Sequence, residues 1–313
     1  MPGALCGTEL VEGTTAMRLG DAPESSNFDD RTGESGGGGM ALGGAGGGLF
    51  ALLAQFVISR FGLVGILFLL LGYCVLTQMG GLGGGGGSIS STGPNKEAPS
   101  KLSADRRMVL THTLGSTEQV WGQLFTQAGA QYQPTEMVAY TDYGQSGCGA
   151  AQSAMGPFYC PTDKKIYIDP AFFDELSKRF GAPGDFAQAY VVAHEVGHHV
   201  QDLEGTLDQA HNAQARAGEA QGNHIQVGVE LQADCYAGVW AANARDKQGR
   251  QLLEAGDVEE GMRAAEAIGD DTLQRQSQGT VVPDSFTHGT SAQRMNALRT
   301  GYQSGTIDAC QAL

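Results

Sequence analysis

The sequence predicts an α+β fold, mostly helical, with a small edge sheet and one transmembrane helix ahead of it. Three observations carry this reading. From about residue 104 onward apolar residues recur mainly at helical spacing. Two short runs rich in β-branched and aromatic residues interrupt them. Residues 61–79 are uncharged and apolar, and glycine runs lie on both sides of the segment.

Residues 1–48 read as a disordered acidic and Gly-rich segment. The opening MPGALCGTELVEG lacks the basic start and sustained apolar run of a signal peptide. Much of the chain's glycine, 48 residues in all, sits in GESGGGGMALGGAGGG (33–48) and GGLGGGGG (80–87). Such runs bring no side chains to bury and lose the most backbone entropy on ordering. The run LFALLAQFVISRFGLVGILFLLLGYCVLTQM (49–79) follows as a membrane segment, with a transmembrane helix at about 61–79. Nineteen helical residues there span about 28 Å, close to the hydrocarbon thickness. Arg60 fits the boundary, its stem in lipid and its charge in water. Residues 80–103 form a Gly/Ser-rich linker, and 104–313 the folded domain.

Within that domain, 108–129 predicts a helix with Val120, Leu124 and Phe125 on one face. MVAYTDYG (137–144) and KKIYIDP (164–170) predict strands, with Tyr167 at the centre of an edge strand that lines a cleft and pairs with an extended peptide. PAFFDELSKRF (170–180) starts a helix on its proline. DFAQAYVVAHEVGHHVQDLEG (185–205) predicts the next, with Asp185 as N-cap and Gly205 as stop. VELQADCYAGVWAAN (229–243) predicts another.

The net charge of −15 argues against a nucleic-acid partner, which needs a basic face. It favours solubility and selects no substrate. Four cysteines lie in the C-terminal portion with no C-x-x-C pair. If that portion faces an oxidising compartment, Cys148–Cys160 closes a short loop and Cys235–Cys310 ties the chain end to a helix; otherwise all four are buried thiols.

The chemistry concentrates in HEVGHHVQ (194–201). Positions four apart share a helix face, so His194 and His198 present two imidazoles to one ion. Glu195, turned about 100° away, reaches the space beside that ion. This is H-E-x-x-H, with two zinc ligands and a general base for water. A catalytic zinc takes a third protein ligand and keeps one position open. Glu230 fills that role, and Asp234, one turn later, accepts the spare ring N–H of a ligand histidine. By themselves these two carboxylates would read as solvent-facing. His199 points away from the ion, towards backbone or water. His112, His211 and His224 read as surface residues, with His224 a weaker ligand alternative. His288, in SFTHGTSAQRM (285–295), is a candidate donor to the oxyanion of an attacked carbonyl. Arg294 would hold its loop or bind a substrate carboxylate bidentately.

HEVGHHVQ, ELQADCYAG, IGDD (268–271) and FTHGTSAQR together resemble the bacterial neutral zinc metallopeptidase family, the YpfJ-like proteins. NFDDRTG (27–33), the glycine run, the apolar segment and GCGAAQSAMGPFYCPTDKKIYIDPAFF (147–173) resemble its other parts, so the resemblance covers about 26–310. The family in turn resembles the gluzincins, zinc peptidases with H-E-x-x-H followed by E-x-x-x-D. That implies a zincin-like catalytic domain, His194, His198 and Glu230 as ligands, Glu195 as base and Asp234 behind the ligands. THGTSAQR also resembles the Thr-His…Arg segment of membrane gluzincins, although Gly289 stands where proline is usual.

The expected function is that of a membrane-anchored zinc peptidase of the bacterial envelope with one Zn2+ per chain. Zinc-activated water attacks a peptide bond, Glu195 acts as base, and the catalytic domain lies outside the cytoplasm. Its partners would be a peptide or protein substrate and, through one helix, membrane lipid; the oligomeric state stays open. The alternative is a non-catalytic envelope module in which zinc fastens two helices, with His224 or a cysteine as fourth ligand.

Overall fold

The computed structural model describes residues 17–34 and 99–311. Helix α1 (Ala104–Gln127) starts on Ser103, whose side chain accepts from Arg106 N. A short sheet region follows, then α2 (Ala171–Lys178), α3 (Asp185–Glu204), α4 (Thr206–Gln214), α5 (Glu219–Asn243), α6 (Asp257–Ala267), α7 (Asp270–Gln278) and α8 (Ser291–Ser304). The arrangement is mostly helical α+β with small sheets.

Three helices make the frame of the site, and small residues set how closely they pack. A Cβ added at Gly301 of α8 would lie 1.9 Å from the Cys235 carbonyl oxygen of α5. Only glycine lets those two main chains touch. One added at Gly197 of α3 would lie 2.9 Å from the Ala233 carbonyl oxygen of α5. Gly197 therefore lets α3 approach α5 between its two motif histidines. Around this contact Val192, Val196, Val200, Ala233, Ala237 and Trp240 are fully buried. Gly205, in the left-handed region at φ 78°, ends α3 as predicted. Its N-cap differs from the prediction. Gly184 occupies the cap position, Asp185 is the first helical residue, and Glu260 of α6 accepts from Phe186 N at 3.3 Å.

The main sheet runs β1 (Phe28–Asp30), β2 (Glu136–Ala139), β6 (Lys165–Ile168), β5 (Phe158–Cys160). The first three strands are parallel, and β5 pairs antiparallel with β6. Strands β3 (Tyr143–Ser146) and β4 (Gly149–Gln152) form a separate hairpin. The run predicted as one strand at 137–144 is broken by Asp142, which has φ 62° and starts the hairpin. Tyr167 was expected on an edge strand. The order places β6 inside the sheet, with β5 as the edge strand beside it. Tyr167 stacks on Phe158 and its hydroxyl donates to Asp163, with 3 % of its surface exposed.

Part of the segment read as disordered belongs to the fold. Leu19 and Ala22 are buried against the core, and β1 pairs with β2 over Phe28–Asp30. Ser25 Oγ and Asn27 Nδ2 both donate to Glu118 of α1. A strand this short carries no alternation to read, and its burial depends on partners more than 100 residues away.

The predicted transmembrane helix at 61–79 lies outside the described residues, and among the described residues no helix is long and apolar enough to cross a membrane. The two flanks of the undescribed segment meet in the fold. Ser100 Oγ donates to Asp30 Oδ2 at 2.6 Å and Lys101 N to Thr32 Oγ1 at 2.9 Å. The chain thus leaves the fold after residue 34 and rejoins it at the same place.

Both expected disulfides are present, Cys148–Cys160 and Cys235–Cys310, with Cα separations of 5.8 and 5.6 Å. Closing loops of 12 and 75 residues stabilises the fold by about 3 and about 4.5 kcal/mol in the chain-entropy account.

Candidate metal centre

Helix α3 presents His194 and His198 one turn apart, ring centroids 4.7 Å from each other and nearly perpendicular. Helix α5 brings Glu230 across to them. His194 Nε2 lies 3.2 Å from Glu230 Oε2, and His198 Nε2 lies 3.6 Å from Oε1. The three donors lie within 4.8 Å of one another, the one group of this kind among the described residues. Two ligands on a tetrahedral zinc at 2.0–2.1 Å stand about 3.3 Å apart, so the trio fits that ion.

The electrostatics favour a cation between these groups. Burial opposes charge on His194, but Asp234 and Glu230 outweigh it and push its pKa up to about 10. Burial also opposes the charged form of His198, and Glu230 overrides it upward. Glu230 is held well below the usual carboxylate range by the two imidazoles, against its burial.

Asp234 and Arg294 lie directly behind His194. Asp234 Oδ1 accepts from His194 Nδ1 at 2.7 Å, from Tyr190 Oη at 2.6 Å and from Arg294 Nη2 at 2.9 Å; Oδ2 accepts from Arg294 Nε at 2.8 Å. A carboxylate only accepts, so His194 keeps a proton on Nδ1, which leaves Nε2, facing Glu230, as the nitrogen an ion would take. Asp234 is fully buried and Arg294 is 3 % exposed. Burial alone would neutralise Asp234, but Arg294 and His194 keep it ionised. The Arg294 fork was expected on a substrate carboxylate or its own loop. Its Nε and Nη2 engage Asp234, its Nη1 donates to the Ile268 carbonyl, and the residue also lines the cleft.

Two glutamines that sequence reasoning passed over touch the other donors. Gln201 Oε1 lies 2.9 Å from His198 Nδ1, and Gln226 Nε2 donates to Glu230 Oε1 at 3.0 Å. Their spacing was the available signal, three residues after His198 and four before Glu230 on the same helices.

Glu195 is buried, and its Oε2 has no hydrogen-bond partner. It lines a cleft of about 550 Å³ together with the three donors. Burial raises its pKa and Glu230 adds to this, while the two imidazoles and the Tyr159 main chain oppose it. Edge strand β5 contributes Phe158 and Tyr159 to the cleft wall, and Phe172, Phe180, Val191 and Ile268 make it apolar. Tyr167 is not among its lining residues.

His288 lines the same cleft, its side chain half exposed. Asp270 holds its loop. One carboxylate oxygen accepts from the main-chain N–H groups of Thr287, His288 and Gly289, and the other lies 3.3 Å from His288 Nδ1. His199 is turned away, as predicted from its helix position: its Nε2 donates to the Gln133 carbonyl at 2.6 Å, and its Nδ1 lies 3.0 Å from Tyr159 Oη. His224 is exposed and outside the donor group, and His112 pairs with the Ala22 carbonyl. His211 is exposed but lines the cleft from α4. The four described cysteines are all in disulfides, so none is free to bind an ion.

A family model described as "Putative neutral zinc metallopeptidase" matches residues 17–313. "Uncharacterized protein YpfJ" of Escherichia coli (strain K12) is 44 % identical over 301 residues, 94 % of this chain and 98 % of that one. "Uncharacterized protein Rv2575" of Mycobacterium tuberculosis and "Uncharacterized protein Mb2605" of Mycobacterium bovis are each 42 % identical over 207 residues, 63 % of this chain and 67 % of theirs. No solved structure matches the chain.

Proposed function

The chain belongs to the neutral zinc metallopeptidase family, and on that premise we propose that it hydrolyses peptide bonds with one zinc ion per chain. His194, His198 and Glu230 would hold the ion. The observation that carries the reading is an unpartnered, buried Glu195 carboxylate oxygen in the same cleft as a three-donor group of zinc dimensions. Zinc in that position supplies Lewis-acid polarisation of water and of a scissile carbonyl.

The side chains divide the remaining work. Glu195 takes a proton from the attacking water and returns it to the leaving amine; its raised pKa brings it nearer to working pH. His288 donates a hydrogen bond to the carbonyl oxygen as charge develops there. Asp234 keeps His194 in the tautomer that offers Nε2, and Arg294 keeps Asp234 charged. The apolar cleft wall and the β5 edge receive an extended peptide or protein segment.

Two disulfides support an oxidising compartment for this domain, and hence the bacterial envelope outside the cytoplasm. The apolar run at 49–79 would anchor it to lipid, and the contacts of Ser100 and Lys101 with Asp30 and Thr32 support a run that enters and leaves by one face.

Metal analysis of the purified chain with a proteome-derived peptide cleavage screen tests this. Wild type should carry one zinc and cleave. Glu195→Gln should carry zinc and leave the peptides intact; cleavage at the wild-type rate by that variant would sink the proposal.

A further inference from the structure

The hydrogen bonds of Gln201 leave its amide one orientation. Its Nε2 lies 2.8 Å from the Val229 main-chain oxygen and 2.8 Å from Gln232 Oε1. A main-chain carbonyl only accepts, so the NH2 group must face Val229 and the amide oxygen must face His198 Nδ1. His198 therefore donates from Nδ1, which leaves Nε2, facing Glu230, as the nitrogen an ion would take. The same reasoning orients Gln226. Glu230 only accepts, so Gln226 offers it Nε2, while Gln226 Oε1 accepts from Gln214 of α4 at 2.9 Å. That contact holds Oε1, the oxygen nearer His198, and leaves Oε2 nearest His194.

Each of the three donors is thus braced from behind by a different side chain. Asp234 braces His194, Gln201 braces His198 and Gln226 braces Glu230. The first brace is a carboxylate neutralised by Arg294, and the other two are uncharged amides. A dication held by two neutral imidazoles and one carboxylate keeps a net positive charge, and none of these braces removes it. A carboxylate in place of either amide would.

Resting on the zinc reading above, we propose that Gln201 and Gln226 are positioning residues of the metal centre, fixing the His198 tautomer and the Glu230 carboxylate without lowering the charge of the bound ion. Gln201 has a second task, since its contacts with Val229 and Gln232 tie α3 to α5. Gln226 is only partly buried, and its partners are side chains.

The test is Zn2+ affinity of the full-length chain, measured by competition with a chelator, for Gln201→Met and Gln226→Met. The visible spectrum of the Co2+-substituted proteins and the melting of the metal-free proteins accompany it. Loss of a partner behind a metal ligand lowers affinity about 10–100-fold, and that fall is expected together with a changed Co2+ spectrum. Melting of metal-free Gln226→Met should stay near wild type. Wild-type affinity and an unchanged spectrum in Gln226→Met would overturn the proposal, whatever becomes of Gln201→Met. An affinity loss matched by lost stability of the metal-free protein would overturn it too. A wild type that takes up no zinc removes the metal reading and this one with it. A wild type that binds zinc but cleaves nothing removes only the peptidase reading.

Discussion

Arg294→Met should destabilise the protein severely while leaving every proposed metal ligand in place. Arg294 makes two hydrogen bonds to Asp234, and the pair is buried, with Asp234 at 0 % and Arg294 at 3 % exposure. Methionine fills much of the volume but leaves the Asp234 carboxylate without its cation. Breaking a buried pair by removing one partner costs about 3–5 kcal/mol. For a domain of this size 1 kcal/mol moves the melting midpoint by roughly 2–4 °C, so a drop of about 6–20 °C is expected. The assay is calorimetric or circular-dichroism melting of the metal-free chain with both disulfides intact. Asp234→Leu combined with Arg294→Met removes both charges, and should recover much of that loss while zinc affinity falls, because His194 then lacks its partner. A midpoint within 2 °C of wild type in Arg294→Met, with peptide KM raised instead, would refute the reasoning and restore the substrate-binding role read from sequence.

Three further outcomes are expected. Gly301→Ala should destabilise by about 1–3 kcal/mol or more, since its Cβ would lie 1.9 Å from the Cys235 carbonyl oxygen; a melt at the wild-type midpoint would show that α5 and α8 do not pack this way. The Asp270 carboxyl has its pKa lowered, burial being outweighed by hydrogen bonds from His288 and Thr287. Its contribution is therefore present above the unfolded value and lost as pH falls through the lower folded one. The stability gap between wild type and Asp270→Asn should be about 2 kcal/mol near neutrality and close in acid below the usual carboxylate range; a gap constant with pH would contradict it. With Cys6 and Cys74 replaced by serine, cysteines placed at Ser26 and Gln303 should react with a membrane-impermeant reagent from the same side of intact cells or sealed vesicles. Labelling from opposite sides would contradict the joining of β1 to β2.

Helix-borne features of this protein are legible from spacing. An interval of four puts His194 beside His198 and Glu230 in line with Asp234, whatever the rest of the chain does. The even set of cysteines reads as two bridges, and Gly205 as a stop, for similarly local reasons. The same spacing exposes Gln201 and Gln226, but glutamine on a helix has no default role, so neither stands out until a partner faces it.

What the linear chain determined is the cast of donors and the face of α3 that carries the imidazoles. Only the folded arrangement decided which groups meet across elements. It paired Arg294 with Asp234, 60 positions away. It placed Tyr167 inside the sheet and β5 at the cleft, and it drew residues 17–34 into the domain. The physical reason is range. Helical periodicity is set by neighbours within one turn, whereas strand order, charge pairing and the side on which a segment re-enters depend on how close distant main chains come, and here glycines at 197 and 301 set that closeness.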